Sequence, residues 1–162
     1  MIYLKFDLFM PSLLLLVGLI ACSPNGIEPN PSNSCQPVKI TDAPADSLQL
    51  DGFDLKAMTI NDDTLTIEIS HGGGCKQHAY ALFMSPSVFL ESFPVQANLY
   101  FQHNANGDLC EALLQEKVCF NLRPLAELYQ RFYQRHDPIR LNVHGYLKGQ
   151  PLQKLSALYQ PQ

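Results

Sequence analysis

The stretch Thr64-Leu65-Thr66-Ile67-Glu68-Ile69-Ser70 alternates apolar and polar residues without a break. A period of two places Leu65, Ile67 and Ile69 on one face of an extended strand, and the polar residues on the other. A helix would scatter these three aliphatic side chains around its axis, because its period is 3.6. A strand that is apolar on one face must lay that face on a second layer. This one segment therefore restricts the fold to a sheet packed against something.

The rest of the chain repeats the pattern between turn signals. Phe53 to Ile60 reads as a strand that Asn61-Asp62-Asp63 turns into the first. Gln77 to Met84 and Ala97 to His103 are further strands. Asn104-Ala105-Asn106-Gly107-Asp108 is the strongest turn, since Gly107 accepts positive φ without a steric cost. If that turn closes a hairpin, His103 and Cys110 come together at its base. Leu109 to Leu122 returns as a strand. Pro138 to Leu147 alternates with Ile139, Leu141 and Val143 on one face, which leaves His144 facing solvent. Gly149-Gln150-Pro151 turns into a last strand, Leu152 to Tyr159.

One segment departs from this rule. Leu125, Leu128, Tyr129 and Phe132 recur at helical spacing behind Pro124, which suits the first turn of a helix, and Asp137-Pro138 stops it. The stripe predicts one short helix near residues 124–135 with its apolar face on the core. Seven or eight short strands with one connecting helix predict a mainly β fold, an antiparallel β-sandwich of the immunoglobulin type or similar. A small open barrel is the alternative.

The amino-terminal part has a different logic. Leu8 to Ile20 is almost wholly apolar, follows Lys5, and is too short to cross the roughly 30 Å hydrocarbon layer as a helix. It ends in Leu19-Ile20-Ala21-Cys22, with a small residue where a signal peptidase needs one. This tetrapeptide resembles the lipobox of bacterial lipoproteins. The resemblance implies removal of residues 1–21, diacylglycerol and acyl chains (palmitate or similar) on Cys22, and attachment to a membrane. Ser23 after the cysteine leans toward the outer membrane, facing the periplasm, in a two-membrane cell. Each buried acyl CH₂ contributes about 0.8 kcal/mol, so several chains hold the protein without a membrane-spanning helix. The sequence Ser-Pro-Asn-Gly-Ile-Glu-Pro-Asn-Pro-Ser-Asn-Ser, residues 23–34, has no apolar period and reads as a tether. Residues 35–162 then form a single domain. With a net charge of −4 and no basic cluster, nucleic acid is excluded as a partner. The partners expected are the membrane and an envelope protein or ligand.

The residues with chemistry gather in two places. One is His71-Gly72-Gly73-Gly74-Cys75-Lys76-Gln77-His78, and the other is His103 with Asp108 and Cys110. Cys75, His78, His103 and Cys110 would make a tetrahedral set for Zn²⁺ or Cu⁺, with Asp108 fixing a histidine tautomer from outside. The competing reading is disulfide chemistry, because unprotected thiols oxidise outside the cytoplasm. After Cys22, four cysteines remain, and the preferred pairing is Cys35–Cys119 with Cys75–Cys110. A bridged pair cannot also supply two thiolates, so the two readings exclude one another at Cys75 and Cys110. A third arrangement, Cys75 as a nucleophile with His103 and Asp108, has the right residue types for an envelope enzyme.

The segments Gly-Gly-Gly-Cys-x-x-His and His-x₄-Asp-x-Cys-Glu resemble those of small bacterial lipoproteins of no assigned activity. The expectation is a lipid-anchored, non-enzymatic binding or scaffolding module of the cell envelope. Metal handling is the alternative, and catalysis by Cys75 a more distant one.

Overall fold

The computed structural model describes residues 35–146 and 153–162. The export segment, Cys22, the tether and the Gly149-Gln150-Pro151 turn lie outside the described residues. Among these residues nine strands and one α-helix follow in the order β1 (Gln36–Pro37), β2 (Lys39–Ile40), β3 (Asp54–Asn61), β4 (Thr64–Gly73), β5 (Ala79–Met84), β6 (Gln96–Asn104), β7 (Ala112–Asn121), α1 (Arg123–Tyr133), β8 (Ile139–His144) and β9 (Lys154–Tyr159), with a 3₁₀ turn at Ala45–Leu48 between β2 and β3. They form two sheets. One has the order β1-β7-β4-β3 and the other β2-β5-β6-β8-β9. The fold is the expected mainly β sandwich with one helix.

The alternation that defined β4 also builds the core. Leu65, Ile67 and Ile69 are buried, and so are Ile139, Leu141 and Val143 of β8 on the facing sheet. Leu82 and Met84 of β5, Leu99 and Phe101 of β6, and Phe120 of β7 complete the layer between them. Burying a side chain of this size contributes about 1.5–3 kcal/mol.

Three strand pairs are parallel. β1 runs beside β7, β2 beside β5, and β6 beside β8. A parallel neighbour needs a crossover, and β7 with α1 forms the one between β6 and β8. This corrects one expectation. The Asn104–Asp108 turn closes no hairpin, because β6 and β7 belong to different sheets. The turn carries the chain across the open end of the sandwich instead. Asn106 and Gly107 take positive φ (53° and 64°), which lets it reverse within two residues.

The two ends of the sandwich are closed differently. At one end, Leu122 N–H donates to the Asp63 carbonyl at 2.8 Å, which ties the start of α1 to the β3–β4 turn. Tyr159 O–H donates to Asp63 Oδ1 at 2.6 Å, so the last strand is fixed there too. Pro124 sits in the first turn of α1, and Gln134 ends the helix in the left-handed conformation. Leu125, Leu128 and Tyr129 point into the core, as the spacing predicts. Phe132 does not. It is 56% exposed, because Phe89 and Tyr133 fill the space inside it. The disulfide Cys35–Cys119 lies toward the same end and fastens the chain ahead of β1 to β7.

His144 also differs from expectation. It is half-buried and stacks on Tyr100 at 4.9 Å, with Nε2 3.3 Å from Asn98 Oδ1. β6 and β8 are parallel neighbours, so side chains two strands apart in sequence cover one another. Burial, with Lys154 nearby, lowers the His144 pKa.

Candidate functional site: a buried histidine cluster

The other end of the sandwich is closed by polar rings. Three inward registers converge on it. β4 continues its apolar row Leu65, Ile67, Ile69 into His71, and β6 continues Ala97, Leu99, Phe101 into His103. On β5 Tyr80 lies two residues before Leu82, and His78 lies two residues before Tyr80, just ahead of the strand. Each strand thus adds an imidazole or a phenol where its apolar row ends. His71 and His103 are 4% and 2% exposed, and the His78 side chain 3%. Phe53 and Phe101 form the floor, with Phe53 edge-on to His103 at 6.2 Å and Phe101 5.8 Å from Tyr80.

Asp108 organises the loop above. Its Oδ2 accepts the backbone N–H groups of Gly74, Cys75 and Lys76, each at 2.9 Å, and lies 3.2 Å from His78 Nε2. Its Oδ1 accepts Cys110 N–H at 3.0 Å. The side chain has no solvent exposure. The Cys110 amide first, then those of Cys75 and Lys76 and the His78 ring, hold its carboxyl far below the usual range despite the opposing effect of desolvation. Lys76 adds a second clamp, donating from Nζ to the carbonyls of Asn106 and Gly107 at 2.9 and 3.0 Å. Gly73, at φ 146°, is required beneath this knot. A Cβ there would lie 2.5 Å from His78 Cε1.

The hydrogen bonds of the rings are defined one by one. His71 Nδ1 is 2.9 Å from the Gly72 carbonyl and His103 Nδ1 is 3.2 Å from the Gly52 carbonyl. Tyr80 O–H lies 2.9 Å from His71 Nε2. His78 Nδ1 and His103 Nε2 face each other at 2.8 Å. Burial, and then the neighbouring His71, lower the His103 pKa to about 4, against the partial opposition of the Gly52 carbonyl. Burial, with Glu116 nearby, pushes the Tyr80 phenol up to about 12.

The residues singled out in the sequence separate into two groups. Cys75 and Cys110 are bonded to one another, with Cα atoms 5.9 Å apart. Neither sulfur is a thiolate in this state, so the Cys₂His₂ set with His78 and His103 does not form, and Cys75 is not available as a nucleophile. Asp108 sits where an outer partner was expected, on His78. His71 and Tyr80 are the members missed. Their signal was the inward register itself, extended one step past the last aliphatic residue of β4 and one step before the first of β5. A shallow depression of about 380 Å³, lined by His71, Lys76, Gln77, His78, Tyr80, Leu114 and Glu116, opens from the cluster to solvent.

This architecture places the chain among small disulfide-stapled β-sandwich proteins. Residues 36–152 match the NigD-like C-terminal beta sandwich domain, and the chain belongs to that family. Solved structures share the fold. One, from Parabacteroides distasonis, is provisionally described as a toxin-related protein, with 26% identity and a TM-score of 0.56 over 77% of this chain and 59% of that one. Another is a NigD-like immunity protein from Bacteroides caccae, with 17% identity and a TM-score of 0.54 over 79% of this chain and 64% of that one. A third, from Bacteroides fragilis, is provisionally described as a lipoprotein, with 6% identity and a TM-score of 0.53 over 79% of this chain and 70% of that one. The match thus covers under two thirds of the first two structures' length. At 17% and 6% identity the likeness is one of fold. No curated protein matches the chain. Among the described residues no helix is long and apolar enough to cross a membrane.

Proposed function

We propose that the chain is a lipid-anchored, non-enzymatic binding module of the cell envelope. The observation that carries this reading is the use of cysteine. Five are present, and four are consumed in Cys35–Cys119 and Cys75–Cys110. Two structural disulfides belong to an oxidising compartment. The fifth, Cys22, stands at the end of Leu-Ile-Ala-Cys, where a lipid would be attached. The lipoprotein description of one structural neighbour supports the same address. Ser23 favours the outer membrane, periplasmic side.

The partner in this reading is a protein. Two structural neighbours are described as an immunity protein and as toxin-related, and a protein counterpart is the partner class we carry from those descriptions to this chain. The chain also exposes Val88, Phe93 and Phe132 around two shallow depressions that share Tyr133. Aromatic side chains left in water at one site are what a protein interface uses.

The test is fractionation of cells making the full chain and its Cys22→Ser variant, with a clickable fatty acid in the medium. The expected result is labelled wild type in the membrane fraction and unlabelled, soluble variant. A variant that stays in the membrane overturns the anchor. Cross-linking from Phe93 and Phe132 on the anchored protein then tests the partner. A discrete protein adduct lost in Phe132→Glu supports the reading, and no adduct with any envelope protein overturns it.

A further inference from the structure

The geometry points to a metal site made by His71, His78 and His103, suited to a divalent transition ion of the zinc and copper class. It goes beyond the binding-module reading and does not rest on it.

Three observations converge. The first concerns the outward nitrogens. His71 Nδ1 and His103 Nδ1 face backbone carbonyls, and His78 Nε2 faces the Asp108 carboxylate. Carbonyl and carboxylate oxygens only accept, so each of these nitrogens carries the proton. The tautomers are thereby fixed. His78 Nδ1 and His103 Nε2 are left with bare lone pairs, and the lone pair of His71 Nε2 accepts the Tyr80 O–H at 2.9 Å, which an ion would displace. A carbonyl or carboxylate behind each ring is the usual outer partner of a metal-bound histidine.

The second observation is where those lone pairs go. Each ring offers one nitrogen, and the three lie within 4.8 Å of one another. His78 Nδ1 and His103 Nε2 face each other at 2.8 Å. Two lone pairs at that distance repel unless something positive lies between them. A proton can bridge two nitrogens, whereas a metal can bridge three. At Zn–N distances of about 2.0–2.1 Å, tetrahedral ligands stand about 3.3 Å apart. The His78–His103 pair therefore needs to open by only about half an ångström, and His71 to close by at most about 1.5 Å, to hold an ion.

The third is access and ligand balance. All three imidazoles are buried, yet the depression beside His71, His78 and Tyr80 reaches solvent, with the Glu116 carboxylate on its rim. It supplies an entry path and room for a water as fourth ligand. With both nearby sulfurs bridged, the donors are neutral nitrogens only, which suits Zn²⁺ and Cu²⁺ and not thiolate-seeking Cu⁺.

The experiment is titration of the metal-free, disulfide-intact domain with Zn²⁺, Cu²⁺ and Co²⁺, followed by calorimetry, by the visible spectrum of Co²⁺ and by the melting temperature. The expected result is one equivalent bound, a tetrahedral Co²⁺ spectrum and a raised melting temperature. His78→Gln and His103→Gln abolish the one-equivalent step, and Asp108→Asn weakens it about ten- to a hundredfold. The exposed His136→Gln leaves it unchanged. Where a buried variant fails to fold, histidine ring NMR on the wild type replaces it. Zn²⁺ must then shift His71, His78 and His103 and spare His136 and His144. Absence of saturable binding by the folded wild type at about 100 μM metal overturns the proposal, as does binding that survives His78→Gln or shifts only His136 or His144.

Discussion

The two ends of this sandwich solve one packing problem with opposite chemistry. Every sandwich must close the gap where its facing sheets diverge. At the helix end the plug is apolar: Leu125, Leu128 and Tyr129 of α1, with Phe89 edge-on to Tyr129 at 5.4 Å. At the far end the plug is three imidazoles, one phenol and a carboxylate that accepts four backbone N–H groups. The apolar plug gains by leaving water and does not respond to protons or metal ions. The polar plug gains only if each donor meets its acceptor, and it responds to protons and metals. The contrast shows that closing a sandwich does not by itself dictate the chemistry of the plug.

Removal of the disulfides gives the largest contrast between the ends. Cys35–Cys119 closes 84 residues and Cys75–Cys110 closes 35. On loop entropy, replacing both cysteines of the first by alanine costs about 4.6 kcal/mol and of the second about 3.8 kcal/mol. Urea unfolding of the two double variants measures this. Equal losses would mean that the ends do not differ in this respect. Next comes Leu125→Ala, which leaves a cavity under the helix and costs about 3 kcal/mol in the same assay. The histidine end remains intact in that variant, so any metal-induced rise in melting temperature persists.

Acid should separate the ends more selectively. His103 titrates at about 4 in the folded protein, below the ordinary 6.5. Between those values the unfolded chain holds more protons, so stability is complete above pH 6.5 and falls as the pH drops toward 4. The slope is at most about 1.4 kcal/mol per pH unit from this group. Melting curves of the metal-free domain across that range check it. His103→Phe should flatten the profile, and Leu125→Ala should leave its shape unchanged. The smallest effect is that of Phe132→Ser. The ring is exposed, so stability should move by less than about 0.5 kcal/mol even where partner binding is lost.

What the sequence made legible follows from the range of each interaction. Alternation in Thr64–Ser70 and Ile139–Val143 reports a local geometry, and both strands appear with the expected faces buried. The stripe Leu125, Leu128, Tyr129 reports a helix for the same reason. The Asn104–Asp108 turn was visible, but its partners were not. Whether β7 folds back on β6 or crosses to β4 depends on the whole sheet. The Cys₂His₂ alternative has that origin, whereas the preferred Cys75–Cys110 pairing did not depend on a hairpin. Sequence proximity joined His103 to Cys110, whereas the crossover joins Cys110 to Cys75 and leaves His103 facing His78 and His71. The short strands β1 and β2 carry no periodicity in two residues each, and only their parallel partners define them.

The nesting of one disulfide inside the other also bears on how the chain is made. If the chain crosses the membrane amino end first, as the export motif implies, Cys35 emerges long before Cys119. Cys75 is the first thiol it can meet, and the bond between them would be the wrong one. The native pairs can form only after Cys110 and Cys119 arrive, and an early Cys35–Cys75 bridge would have to be opened by attack of a late thiolate. On that route, disulfide shuffling on the far side of the membrane, or a Cys35 held reduced until β7 is in place, would decide how fast the native pairs form.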